Sequence, residues 1–251
     1  MIIRSNNPVL SKFADTARNT LGLDAATPMT VAGTAGKAGV LLPVLAFSSA
    51  LTWQEVSAGR VELITPAMLI GGIGGVIFAP VTAFKPPWAR WTAPLYASLE
   101  GVFLGGISAL YNLRFAGLPQ QAVLLTIGVA AGVFLLYRFR ILRATEGFKR
   151  MMMAAMMGIM LFYLISFVLG FFGVNIGYFT SSGMLAIGIN LAIAGVAALN
   201  LVLDFDRIEE GVRMGAPKAM EWFAAFGLMV TLIWLYLELL RLLSRLQGRR
   251  D

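Results

Sequence analysis

The sequence predicts an all-α membrane protein, a bundle of seven transmembrane helices. Apolar residues make up 58% of the 251 positions and charged residues only 13%. The mean hydropathy of +0.78 is higher than in soluble domains of this length. Seven apolar stretches alternate with short polar segments, which leaves little room for a folded domain outside the bilayer.

Each apolar stretch is long enough, or nearly so, to cross the hydrocarbon core. The seven stretches are 38–53, 65–84, 92–113, 119–137, 151–173, 182–203 and 222–243. The first is short and contains Pro43, which either bends the helix or lies in its first turn. The predicted organisation is therefore an N-terminal tail (1–37), a transmembrane domain (38–246) and a C-terminal tail (247–251).

The N-terminal tail is basic but lacks the apolar core of a secretory signal, so we expect it to remain attached. Residues 7–18 form either a short amphipathic helix on the membrane surface or a poorly ordered segment.

The basic residues predict the orientation of the chain. Most of the 20 lysines and arginines fall in the tail and in alternate loops, which places the N-terminus in the cytoplasm by the positive-inside rule. This loop charge explains the net charge of +7 without nucleic acid as a partner. An odd number of spans puts the basic C-terminus outside, so the last stretch either crosses fully or re-enters and returns.

The composition excludes several chemistries. The chain has no cysteine and no histidine, which excludes disulfides, thiolate chemistry, haem ligation and an imidazole-based metal site. Any bound metal must be a hard cation held by oxygen. The last span has no lysine for a retinal Schiff base, and no nucleophile elbow is present. We therefore expect no enzyme activity and no cofactor.

Small residues recur at helical spacing in three of the stretches and predict close helix packing. The pairs are Gly71 and Gly75, Gly101 and Gly105, and Gly128 and Gly132.

One carboxylate lies deep within the third stretch. If that helix starts at the inner face near Thr92, Glu100 is roughly 12 Å deep, near mid-membrane. A charged side chain there costs about 2.5–3.5 kcal/mol, so function is the default hypothesis. Glu100 either responds to protons or binds a cation, or it is neutral and makes one interhelical hydrogen bond.

A cluster of charges follows the sixth stretch in LVLDFDRIEEGVR. Asp206 and Glu210 share a face if the helix continues, as do Asp206 and Glu209. Repulsion between these acids would favour uptake of a proton or cation, so Asp206 and Glu210 form a candidate metal site. Asp204 is two residues from Asp206 and points elsewhere. Alternatively, these acids are solvated loop charges.

The last stretch contains Glu238, roughly 24 Å from the inner face. It either pairs with Arg241, three residues on, or joins Asp206 and Glu100 in a ladder of carboxylates. Such a ladder would pass a hard cation or relay protons, because each carboxylate replaces part of a hydration shell. Two amides of the sixth stretch could add neutral oxygens: Asn190 and Asn200.

The segment NLVLDFDRIEEGVRMGAPKAMEWFAAFGLMVTLIWLYLELLRLLSRL resembles the transmembrane Bax inhibitor motif family, in its bacterial Bax inhibitor/YccA-like branch. The segments SNNPVL and LYASLEGVFLGGIS extend the resemblance over most of the chain. The resemblance implies a seven-helix bundle with the last helix central, and a pH-sensitive calcium leak across the membrane.

The resemblance also implies an aspartate pair between the last two helices that senses protons. Asp206 matches its first member. Aligning LLRLL places Thr231 at the second position, whereas aligning the LYL-acid pattern places Glu238 there, two turns or roughly 10 Å further along. In the family a basic residue near the start of the third span latches the first aspartate, for which Lys85 and Arg90 are the candidates.

The leading functional hypothesis is a pH-sensitive cation leak channel of a bacterial inner membrane, with Ca²⁺ as the permeant or bound ion. Asp206 and Glu238 are the candidate pH sensor, and Glu100 joins them in the cation path. The alternative is a non-transporting regulator of stress survival or of a membrane protease, which acts by binding partner helices. A proton-coupled secondary transporter is disfavoured, since no convincing internal repeat is present.

Overall fold

Seven long helices account for most of residues 27–172 and 183–249, the part of the chain that this computed structural model describes. The helices are α1 (Val31–Ser57), α2 (Ile64–Phe84), α3 (Ala89–Arg114), α4 (Leu118–Arg138), α5 (Glu146–Phe171), α6 (Met184–Arg213) and α7 (Met220–Gln247). All seven are long and apolar enough to cross a membrane. The described residues form no β-strand, so the predicted all-α, seven-span class is confirmed. The helix considered for 7–18 lies outside the described residues.

All seven helices are longer than the apolar stretches that predicted them, and the difference is largest for α1 and α6. α1 begins at Val31 rather than at 38, because Thr30 caps it by accepting a hydrogen bond from the Gly33 amide at 2.8 Å. Pro43 therefore lies inside α1, not in its first turn. α6 continues to Arg213 through the polar segment that follows 203. Backbone hydrogen bonding and caps set where a helix ends, whereas hydropathy marks only its apolar part.

Three helices end in the same turn, which contains two successive backbone hydrogen bonds. The first amide donates to the carbonyl three residues earlier, and the next amide donates to the carbonyl five residues before itself. This Schellman motif needs one residue in the left-handed conformation, a position usually occupied by glycine. α1 has Gly59 there (φ 93°) and α6 has Gly215 (φ 64°), but α4 has Arg140 (φ 58°). A side chain in this conformation costs about 1–2 kcal/mol.

The described helices divide between two compact units. Of the described residues, unit 1 comprises 27–113 and Asp206–Val230, and unit 2 comprises 114–172, 183–205 and 231–249, so α6 and α7 contribute to both. The apolar window of α7 is 56% buried, against 11% in α5, and is the most buried of the seven. This is the burial expected of the central helix.

The glycines of α2 and α3 allow close helix packing in unit 1. A methyl group at Gly71 would collide with the backbone of α3, and one at Gly101 would collide with the backbone of α1. No atom of residues 27–172 or 183–249 lies within 4 Å of a methyl group added at Gly128 or Gly132 in α4. The packing prediction is confirmed for α2 and α3 and is wrong for α4, because the spacing of small residues does not say which face has a neighbour.

Candidate functional site

Glu238 lies at the centre of a hydrogen-bonded cluster in unit 2. Its side chain accepts hydrogen bonds from the Tyr163 hydroxyl (2.9 Å), the Asn190 amide (2.7 Å) and the Arg241 guanidinium (3.0 Å). Arg241 also donates to the Tyr163 oxygen at 2.9 Å. The cluster joins α5, α6 and α7 around a carboxylate that is only 2% exposed. Of the two alternatives for Glu238, the structure has the pair with Arg241.

Asp204 belongs to a second buried polar cluster in unit 2. The Thr231 hydroxyl donates to Asp204 Oδ2 at 2.5 Å, and Asn200 Nδ2 donates to Thr231 Oγ1 at 3.1 Å. All three side chains are buried. Asn200 and Asp204 are four residues apart on α6 and therefore share a face, which α7 meets with Thr231.

Each cluster contains an amide oxygen that no described residue satisfies. Asn190 Oδ1 and Asn200 Oδ1 are buried and have no hydrogen-bond partner among the described residues. A buried acceptor without a partner is costly and uncommon, and in native proteins it usually marks the place of a water molecule or an ion. Each of these two oxygens can therefore still accept a hydrogen bond or contact a cation.

Glu100 is half-buried within α3. Its carboxylate lies against Gly75 of α2, where an added methyl group would collide with it. Tyr96, one turn earlier on α3, packs edge to face on Phe226 at a centroid distance of 5.1 Å. No hydrogen-bond or ion-pair partner of Glu100 is present in the parts of the chain described above.

Asp206 and Glu210 lie on the continuous helix α6, as their predicted shared face requires. Both are half-buried, and Glu210 is paired with Arg213. The latch candidates lie against aromatic rings: the Lys85 ammonium is 4.2 Å from the Trp88 ring centroid, and Arg90 packs over Trp91. Residues 27–172 and 183–249 contain no group of three or more acids placed to hold a metal. The metal site, the latch, the pH sensor and the cation path stay predictions. The ladder of three acids required a Glu238 that does not pair with Arg241, and the structure pairs them.

Glu221, in the first turn of α7, ties two distant parts of unit 1 together. It accepts hydrogen bonds from the amide (3.0 Å) and the hydroxyl (3.2 Å) of Thr30, and its other oxygen is 3.8 Å from the Lys37 ammonium. The chain just before α1 also pairs with the α6–α7 loop, since the Met29 amide donates to the Ala216 carbonyl at 2.8 Å. The start of α1 is thereby fixed to the start of α7.

The chain is similar over almost its whole length to one protein family. A sequence profile described as Bax inhibitor 1 like matches residues 7–248. The chain belongs to the Bax inhibitor 1-like family. No curated protein and no solved structure matched it significantly. The profile confirms the resemblance drawn from the C-terminal third and covers both buried polar clusters.

Three residues of this family member were not singled out by the sequence: Asp204, Tyr163 and Glu221. Two features of the sequence could have indicated the Asp204 cluster: the four-residue spacing of Asn200 and Asp204, and the LLRLL alignment, which places Thr231 at the second position of the family pair. Tyr163 gave none, because its hydroxyl becomes important only beside Glu238. Glu221 gave none either, since an acid in the first turn is a common feature of helices.

Proposed function

We propose that the protein is a pH-sensitive cation leak channel of the bacterial inner membrane, with a cytoplasmic N-terminus and Ca²⁺ as the permeant ion. It would act without a cofactor and without enzyme activity. The observation that supports this proposal is the line of buried polar side chains along α6 in unit 2. Asn190 and Asn200 place amide oxygens that have no hydrogen-bond partner among the described residues near two carboxylates in an otherwise apolar span. Polar groups at membrane depth mark ion or proton pathways.

The proton sensor in this proposal is the contact between Asp204 and Thr231. Thr231 is the position that the LLRLL alignment gives for the second family aspartate, and its partner on α6 is Asp204, two residues before the predicted Asp206. Ionised Asp204 accepts the Thr231 hydroxyl as a charge-assisted bond, which is stronger than the bond that a neutral carboxyl would accept. Protonation of Asp204 would weaken this link between α6 and α7.

The remaining acids have separate roles in the proposal. Glu238 is neutralised by Arg241, so the Glu238 cluster would act as a closed constriction that must open before a cation passes. Glu100, half-buried and without a described partner, would provide a carboxylate for a cation in α3. These roles support a leak that is closed at rest, because the Arg241 guanidinium repels cations from the Glu238 carboxylate.

Calcium flux into proteoliposomes, measured from neutral to mildly acidic pH, tests the proposal. We expect wild-type flux to depend on pH, Asp204→Asn to remove that dependence, and Thr231→Asp, which restores a carboxylate pair, to shift it. Asp206→Asn, which removes the same charge from the same helix, separates Asp204 from the predicted sensor Asp206, and we expect it to leave the pH dependence in place. Ion-tight wild-type vesicles, or unchanged pH dependence in Asp204→Asn, would overturn the proposal.

The alternative is a non-transporting regulator that binds a membrane partner. The observation that favours it is the Glu238 cluster, whose carboxylate oxygens are fully satisfied, as in a static structural network. Ion-tight vesicles together with co-purification of a stable membrane protein would support this alternative.

A further inference from the structure

The turn that joins α4 to α5 has the composition of a lipid-facing surface. Its segment RFRILR (138–143) is followed by Lys149 and Arg150 in the first turns of α5, and Glu146, the one acid there, pairs with Lys149 at 3.6 Å. The three arginines of this segment are exposed. Because α4 and α5 are both membrane spans, the turn between them lies at the level of the lipid headgroups.

Apolar side chains project from the same turn. Phe139, between Arg138 and Arg140, is 71% exposed, and Ile141, which follows Arg140, is 69% exposed. Large apolar side chains this exposed are unfavourable in water but fit the boundary between headgroups and acyl chains. At that boundary the apolar side chains can enter the acyl region, while the neighbouring basic side chains can contact the lipid phosphates.

The backbone of the turn holds an arginine where glycine would be less strained. The Ile141 amide donates to the Leu136 carbonyl and the Arg140 amide to the Tyr137 carbonyl, both at 2.9 Å, which places Arg140 in the left-handed position. The same turn uses Gly59 after α1 and Gly215 after α6. Arg140 is the only residue other than glycine with a positive φ in the described chain, and such an outlier points to a functional constraint.

Arg140 and Arg143 are linked in this turn. Arg143 Nε donates to the Arg140 carbonyl at 2.9 Å, which uses one of the five N–H groups of the guanidinium. The remaining N–H groups of the planar Arg143 guanidinium are suited to the paired oxygens of a phosphate.

From these observations we propose that the 138–143 turn binds anionic phospholipid headgroups of the leaflet in which it lies, with Arg140 and Arg143 on the phosphate and Phe139 and Ile141 in the acyl region. The leaflet is chosen as partner over a soluble phosphate because the exposed apolar side chains need an acyl layer and a free anion has none. This surface is independent of the proposed conduction.

Titration of the full chain in neutral detergent with phosphatidylglycerol or phosphatidylcholine tests the proposal, with bound lipid counted by native mass spectrometry. We expect wild type to prefer phosphatidylglycerol, and the double variant Arg140→Gln/Arg143→Gln to bind it about 25-fold more weakly, roughly fivefold for each arginine removed. Arg140→Gly should lose about fivefold while keeping or raising the unfolding temperature, since glycine relieves the left-handed strain. Weaker binding cannot then be attributed to misfolding.

The matched control is Arg114→Gln, which removes the exposed arginine that ends α3, just before α4 begins and at the end of α4 opposite to the 138–143 turn. It should leave phosphatidylglycerol binding unchanged. The proposal is overturned by equal binding of the two lipids, by wild-type affinity in the double variant, or by an equal loss in Arg114→Gln. Stabilisation of wild type by inorganic phosphate to the same extent as by phosphatidylglycerol would also overturn it.

Discussion

Two glutamates of α7 are almost completely buried, and they differ in how their charge is compensated. Glu238 accepts hydrogen bonds on both carboxylate oxygens and lies 3.0 Å from a guanidinium. Glu221 accepts bonds on one oxygen only, from Thr30, while its second oxygen has no hydrogen-bond partner in the described chain and lies 3.8 Å from Lys37. They are 2% and 1% exposed, so burial does not distinguish them.

The difference shows that the partners of a buried acid, rather than its depth, decide what its removal costs. Around Glu238 a guanidinium, a phenol and an amide from three helices converge, so the loss of the carboxylate leaves several donors unsatisfied. Around Glu221 the donors lie near the surface, since Thr30 is exposed and its amide can bind water instead. We therefore expect substitutions around Glu238 to cost more than removal of Glu221.

The largest effect is expected from Glu238→Ala. Breaking a buried ion pair costs about 3–5 kcal/mol, and partial exposure of Arg241 places this one near the lower limit, at about 3 kcal/mol. Denaturant unfolding in detergent measures the change. The exposed acid Glu62 provides the control, since Glu62→Ala should change the free energy of unfolding by less than about 0.5 kcal/mol. Equal values for the two variants would show that the Glu238 cluster does not stabilise the fold.

The next effect is expected from Gly33→Ala. The added methyl group would collide with the Glu221 carboxylate, and such overpacking costs about 2 kcal/mol. Gly36→Ala, on the same helix with open space around it, should instead be neutral or stabilise by up to about 1 kcal/mol. In a double-mutant cycle, most of the cost of Gly33→Ala should disappear in the Glu221→Ala background. A full cost in that background would contradict the contact.

Tyr163→Phe should destabilise the protein by about 1.5 kcal/mol, since the lost hydroxyl bonds to a charged carboxylate. The same unfolding measurement checks this value. Tyr111→Phe is a suitable control, because the half-buried Tyr111 of α3 has no hydrogen-bond partner among the described residues. If the free energy of unfolding changes no more in Tyr163→Phe than in the control, the Tyr163 hydroxyl does not stabilise the cluster.

The smallest effect is expected from Glu221→Ala, about 1 kcal/mol, because water can replace the carboxylate at Thr30. Hydrogen exchange of the Thr30 and Gly33 amides should increase in this variant while exchange in α5 stays unchanged. A loss as large as that of Glu238→Ala would contradict the comparison between the two glutamates.

The sequence predicted the site less completely than the fold. Glu100, Asp206 and Glu238 are the acids that the sequence singles out, because an acid near or within an apolar stretch is conspicuous, and their roles stay predictions. The two-residue spacing predicts only that Asp204 points away from Asp206. Sequence spacing cannot show which face of α6 meets Thr231, so the Asp204 cluster was not predicted. The prediction that Gly128 and Gly132 pack against a helix was wrong for the same reason: periodicity defines a face but not its neighbour.

The sequence by itself determined the class, the seven spans and the family, because hydropathy over a span length and a run of family-specific residues are local properties of the chain. Only the tertiary structure decided that Glu238 pairs with Arg241 beside Tyr163 and that Asp204 accepts a hydrogen bond from Thr231. The same holds for the hydrogen bonds by which Glu221 holds Thr30 at the start of α1. The Glu238–Arg241 pair lies within α7, but the other contacts join residues that are 27 to 191 positions apart in the sequence. Their formation depends on how whole helices pack, which no local pattern specifies.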